Sequence, residues 1–332
     1  MLQRSNRPIV ACAAALLPAF LPALLVAILA SCGDGARPGS TASPAGHDAS
    51  ARPLLVCTTP MVGDVVRSVA GDHAEVEVLI APGVDPHLWT PTRTDVLRIL
   101  EADAVFLNGL TLEGRIGDSI SRVENQRRPV LRVAQSIDRA ELITDAQRAA
   151  YFDPHIWMDP SIWGRTATSV AELLAKIMPE HKADFDANAA RYIERAMAVD
   201  ADCARMLAAI PPQRRELISA HDAFHYFGRR FDLRVRAIQG LSTESEASIS
   251  DIEDLVANIA SRKIPMAFIE TTVSDRTVRA LVEGCASIGH DLRIGPPLYS
   301  DSLGPAGTPE GTWEGMLRHN ARVIAESLGG LK

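Results

Sequence analysis

Two loops of this chain carry the same short core, Asp-Pro-His-x-Trp: "VDPHLW" at 84–89 and "YFDPHIWMDP" at 151–160. In each, the proline fixes a backbone dihedral beside the histidine, so His87 and His155 project from stiff turns that lose little entropy on taking a ligand. A third histidine, His221, follows the apolar run "RELISA", and Asp301 stands in the Gly- and Pro-rich stretch "PPLYSDSLGPAGT" at 296–308. Neutral imidazole nitrogen and carboxylate oxygen are donors that zinc and manganese accept, and three of the first with one of the second fill a four-coordinate shell. His221 reads as the start of a helix, where the positive end of the helix dipole disfavours imidazolium and leaves the nitrogen free for a metal. Taken singly, the same residues are ordinary loop content: Asp-Pro is a common turn former, and a lone loop histidine is usually a surface residue.

The remaining candidates have plainer readings. Trp89 and Trp157 are expected to pack in a core or at a lobe interface. His225 stands one helical turn after His221, but without an H-E-x-x-H glutamate it reads as a packed or exposed helix residue. His47 and His73 read as solvent-exposed, and His181, His290 and His319 have no partner spacing. The stretch "STESEAS" at 242–248 is a polar loop with a helix cap, in which Glu244 or Glu246 is the alternative reading as an outer support of the site. Glu270, at the end of an apolar run, reads as a structural carboxylate.

These residues must be positioned by an alternation of short apolar runs with amphipathic ones, the pattern of parallel sheets covered by helices. Strands are expected at 53–59, 74–80, 103–109, 129–134, 215–220, 234–240, 266–272 and 292–295, with helices between them. His87, His221 and Asp301 follow strands, and ligands of open α/β sheets bind beyond the carboxyl ends of strands. From 160 to 210 the chain turns helical, as "SIWGRTATSVAELLAKI" and then a run at 181–210 with no Gly or internal Pro. At 1.5 Å per residue the second piece spans roughly 45 Å. The economical architecture is α/β: two α/β lobes with parallel sheets joined by a single long helix, with a first lobe at 53–180, the linking helix at 181–210 and a second lobe at 211–332.

Ahead of this body lies a leader. Arg4 and Arg7 precede a charge-free apolar run that ends in "LASC", Leu29 to Cys32. The run is long enough to span a bilayer as an anchor helix, but Pro8, Pro18 and Pro22 argue against one continuous helix. "LASC" resembles the lipobox of bacterial lipoproteins, which implies a signal peptide at 1–31, acylation of Cys32 and a tether at 32–52 of Gly, Ser, Ala and Pro. Either way the body is expected outside the cytoplasmic membrane. Loss of Arg4 and Arg7 with the leader takes the formal net charge from −7 to −9, which disfavours nucleic acid and anionic lipid as partners. Cys57, Cys203 and Cys285 are too few and too far apart for a disulfide framework.

From Leu54 onward the chain resembles the solute-binding lipoproteins of bacterial zinc and manganese ABC importers. The likeness rests on seven ordered segments: "GVDPHLWTPTRTDV", "FLNGLTLEG", "DPHIWMDP", "SAHDAFHYFG", "IQGLSTESEAS", "IETTVSDRTVRALVEG" and "LYSDSLGPAGTPEGTWEGMLRHN". It implies two α/β lobes bridged by one rigid helix, with the metal between the lobes and His87, His155, His221 and Asp301 as its ligands. It further implies capture of zinc or manganese as transport substrate outside the cytoplasmic membrane and hand-over to an ABC permease with its ATPase. A monomeric, lipid-anchored binding protein is expected, and not an enzyme. Manganese-selective members often carry glutamate where this chain has His221, and many zinc-specific members carry a histidine-rich loop before the second histidine. Residues 110–150 here contain no histidine, so the motif leaves zinc and manganese both open. The rival readings are a zinc-dependent hydrolase, with Glu270 as its base, and a surface adhesin lipoprotein whose metal is structural.

Overall fold

A computed structural model describes residues 52–145 and 148–329. The expected leader, Cys32 and all of the tether but Arg52 lie outside the described residues. The first lobe is built from β1 (Leu54–Cys57), α1 (Pro60–Ala70), β2 (Glu75–Val78), α2 (Arg93–Glu101), β3 (Ala104–Leu107), α3 (Gly117–Asn125) and β4 (Val130–Arg132). Its four strands pair in parallel in the order β2-β1-β3-β4. The inner strands read as unbroken apolar runs, LLVC and AVFL, because helices cover both faces of a parallel sheet. Helix starts are written locally: Thr59 caps α1 ahead of Pro60, and Thr92 with Asp95 forms a capping box on α2.

The helical region does not run as the pattern predicts. The expected helix at 161–177 is divided into one turn, α4 (Pro160–Trp163), and α5 (Thr166–Ile177). Hydrogen bonds of the i→i−3 type, Arg165 to Ile162 and Ala167 to Gly164, tighten the chain at the junction. Gly164 there presses on the linking helix so closely that a Cβ would lie 2.7 Å from that of Ala196. The linking helix, α6 (Lys182–Ala208), has 27 residues, roughly 40 Å at 1.5 Å per residue. Its buried residues Phe185, Ala189, Tyr192, Ala196, Val199, Cys203 and Leu207 recur every three or four positions, a single apolar stripe.

The second lobe contains β5 (Glu216–Ser219), α7 (His225–Phe231), β6 (Arg234–Ala237), α8 (Ile249–Arg262), β7 (Met266–Glu270), α9 (Arg276–Ser287), β8 (Arg293–Leu298) and α10 (Trp313–Ser327). β5 pairs with β6 and β7 with β8, again in parallel. All eight expected strands are present. α10 returns to pack along α6, where Trp313 donates its indole N–H to the carbonyl of Trp157 at 2.9 Å. One apolar core therefore runs from α1 and α5 through α6 to Tyr226, Phe227, Phe268 and Trp313, while a smaller one lies within the second lobe around Ile218, Ala267 and Leu281. The linking helix is packed along its apolar stripe against α1, α5 and α10 and so cannot bend freely, which fits a rigid connection. No helix among the described residues is long and apolar enough to cross a membrane.

Candidate metal centre

The two Asp-Pro-His loops fold by the same local device. Asp85 accepts the backbone N–H of His87 at 2.8 Å, and Asp153 accepts that of His155 at 2.9 Å, each an aspartate turn across two residues. The two aspartates then diverge. The oxygen of Asp153 that takes the backbone N–H also lies 2.7 Å from His155 Nδ1, whereas the other oxygen of Asp85 accepts from Thr243 Oγ1 of the second lobe at 2.6 Å.

His221 is not at a helix start. α7 begins four residues later, at His225, because the backbone donors before it are spent elsewhere: His221 N–H goes to Glu270 Oε1 and Asp222 N–H to the carbonyl of Gly240. The helix-dipole expectation for His221 is therefore corrected. Its ring is held instead by Glu270, whose Oε2 lies 2.5 Å from Nδ1.

With Nδ1 of His155 and of His221 engaged, Nε2 of each of the three imidazoles is turned inward. His87 Nε2 lies 3.3 Å from His155 Nε2 and 3.5 Å from Asp301 Oδ2. His155 Nε2 lies 3.4 Å from Asp301 Oδ1, and His221 Nε2 lies 3.1 Å from Asp301 Oδ2. Bonds of 2.0–2.2 Å to a tetrahedral zinc place ligand atoms about 3.3–3.6 Å apart, close to these four separations, and the ligand atoms of all four side chains lie within 4.8 Å of one another. All four are buried, His87 at 6% exposure and the others at 0%. Neither oxygen of Asp301 nor His221 Nε2 has a hydrogen-bond partner, a costly arrangement for buried polar atoms that a cation among them would relieve.

The electrostatics sort the three histidines. Burial pushes His87 down to about 3, against the pull of Asp301. His155 is more deeply buried, yet Asp153 and Asp301 outweigh desolvation and hold it at about 9. Glu270 and Asp301 likewise overcome burial to hold His221 well above its ordinary value. Burial would raise Asp301, but His221 and His155 keep it well below the usual carboxylate range.

The two lobes are tied around this cluster. Trp157, two residues beyond His155, donates its indole N–H to the carbonyl of Ser300, next to Asp301, at 2.8 Å. Gly83 N–H donates to Ser302 Oγ at 2.8 Å, and Arg115 pairs with Glu244 at 3.3 Å on the surface. Glu244 and Glu246 are exposed, and the loop instead supports the site through Thr243. His225 pairs with Asp222 on the surface, apart from the cluster. A cavity of about 180 Å³, lined by His87, Leu112, Tyr151, Leu241 and Glu244 among others, approaches the cluster from the His87 side.

Sequence reasoning missed Asp85, Asp153 and Thr243. The first two carried a signal, since each stands two residues before its histidine. Glu270 gives a direct test of its own role. Glu270→Gln removes the carboxylate that orients and polarises His221 and should cost about ten- to hundredfold in metal affinity, the range for such partners of ligating histidines. Calorimetric titration of the variant with zinc checks this, and unchanged affinity would leave Glu270 a purely structural residue.

Residues 55–327 match the family described as "Zinc-uptake complex component A periplasmic". The "Manganese-binding lipoprotein MntA" of Bacillus subtilis is 37% identical over 284 residues, covering 86% of this chain and 92% of that protein. The "Zinc-binding protein TroA" of Treponema pallidum is 38% identical over 280 residues, covering 84% and 90%. The solved structure of periplasmic zinc-binding TroA from Treponema pallidum superposes with a TM-score of 0.81 at 38% identity, covering 83% of this chain and 99% of that one.

Proposed function

Because this chain belongs to the family of the periplasmic component A of zinc-uptake complexes, we propose that His87, His155, His221 and Asp301 together enclose its cargo ion. The chain is the metal-binding component of an ABC importer: it captures a divalent transition metal, zinc or manganese, outside the cytoplasmic membrane for delivery to the importer. The observation that carries the ligand assignment is the convergence of Nε2 and carboxylate atoms at coordination spacing, with both Asp301 oxygens unpartnered in a buried pocket.

Zinc is the tighter cargo on this reading, because nitrogen-rich sites favour the later first-row ions. The near-equal identities to a manganese-binding and a zinc-binding relative leave the choice to the donor set. The first lobe is taken as 53–180, the linking helix as 181–210 and the second lobe as 211–332, with α6 at Lys182–Ala208 in support. Acylation at Cys32, anchoring to the membrane by that lipid, a monomeric state and docking onto a permease with its ATPase complete the proposal. A rigid α6 favours release by small loop movements over wide hinge closure. Four enclosing side chains, and a Glu270 engaged with His221 through both oxygens, support cargo binding over hydrolysis, which needs an open position for water and a free base.

The test is competitive titration of the metal-stripped full chain with zinc and manganese. One tight ion per chain is expected in the enclosed site, with manganese weaker and displaced by zinc. Absence of a saturable tight site, or binding of the two ions without competition, would overturn the assignment.

A further inference from the structure

Away from the enclosed cluster, the fold brings together two histidines that no spacing in the chain pairs. His73 ends the short turn after α1, and His181 sits immediately before α6. Their rings stack at 3.8 Å between centroids with 23° between planes, and the edge of the buried Phe185 ring backs both, at 5.6 and 6.2 Å. Asp184, one helical turn after His181, lies with a carboxylate oxygen 3.1 Å from His73 Nε2 and 3.9 Å from His181 Nδ1. Glu180 stands 3.9 Å from the other ring nitrogen of His181, where it faces the ring's far side.

We propose that His73, His181 and Asp184 form a second, surface metal site on the first lobe, which takes zinc or another late first-row divalent ion from solution. One imidazole nitrogen and the carboxylate oxygen stand 3.1 Å apart, close to the ~3.3 Å between two ligands on a tetrahedral zinc. Near-parallel stacked rings cannot both hold one ion in plane, so binding turns the two imidazoles out of their stack toward Asp184, a movement that the partial exposure of both rings leaves room for. Water completes the shell, since the protein offers three donors and the site faces solvent. Two nitrogens and one oxygen select zinc, copper, nickel or cobalt over manganese and calcium. The site is independent of the enclosed cluster and weaker than it, because its side chains are partly free and must be ordered on binding.

Equilibrium dialysis of the metal-stripped full chain against Zn2+ tests this. The expected result is two classes: one tight ion, and a second at least tenfold weaker that appears as zinc is raised. His73→Asn and Asp184→Asn should each abolish the weaker class and leave the tight one unchanged, and Mn2+ should show the tight class alone. In His155→Ala the weaker class should persist, which separates this site from the enclosed one. Saturation of the native chain at one zinc, or survival of the weaker class in both surface variants, overturns the proposal. Far-UV circular dichroism of each surface variant establishes that loss of the weaker class is not loss of fold.

Discussion

His155→Ala is expected to weaken tight zinc binding by about a hundred- to a thousandfold. Structural zinc sites with four protein ligands supply roughly 10–16 kcal/mol, so one ligand is worth about 3 kcal/mol, or at least two factors of ten. The variant also exposes a separate cost, because Asp153 then keeps only the backbone N–H of residue 155 among its close donors in a fully buried place. Breaking a buried ionic pair can destabilise by about 3–5 kcal/mol, so this variant tests folding as well as binding. His87→Ala separates the two. His87 has no carboxylate on its Nδ1 and is held neutral by burial, so its removal deletes a ligand without stranding a charge. Both variants should lose tight zinc in calorimetry, while His87→Ala keeps a thermal midpoint close to that of the metal-free parent. Native affinity in both would end the assignment and return the two Asp-Pro-His loops to turn chemistry.

Affinity should fall by about one factor of ten for each pH unit between pH 7 and pH 5, with at least about one proton released per ion bound near neutral pH. The sign follows from the raised values of His155, at about 9, and His221. His155, held at about 9, carries a proton in the metal-free pocket at pH 7, and the upward shift of His221 acts in the same direction, so an ion binds only as protons leave. While His155 remains protonated, each pH unit costs about one factor of ten. His87, pushed down to about 3, adds no proton in this window, and Asp301, held low by the same histidines, does not offset the trend. Stability of the metal-free chain runs the opposite way: His155 contributes fully below its unfolded value near 6.5 and loses that contribution as pH rises through about 9. Titration in buffers of differing ionisation enthalpy counts the protons, and a count near zero would contradict the protonated pocket.

Much of this protein was readable from local pattern. Apolar runs such as LLVC and AVFL announce buried parallel strands whatever lies around them, and capping residues Thr92 and Ser248 mark helix starts by side-chain hydrogen bonds within a few positions. The Asp-Pro-His turns are local for the same reason, since proline and an aspartate two residues away shape the backbone without help. Where the reading failed, distant partners had taken over the backbone. The helix expected from His221 starts at His225 because Glu270 and Gly240 capture the earlier N–H groups, and the expected helix at 161–177 breaks where Gly164 meets Ala196 of α6.

The sequence alone therefore determined the alternation of strands and helices, the long linking helix and the four residue types fit for a late transition metal, because each depends on hydrogen bonds and side-chain preferences a few positions apart. Only the tertiary structure decided which nitrogen each histidine presents, through Asp153 on His155 and Glu270 on His221, and only it stacked His73 on His181. Those outcomes depend on side chains far apart in the chain that approach only when the lobes pack around α6, and no local pattern encodes such an approach.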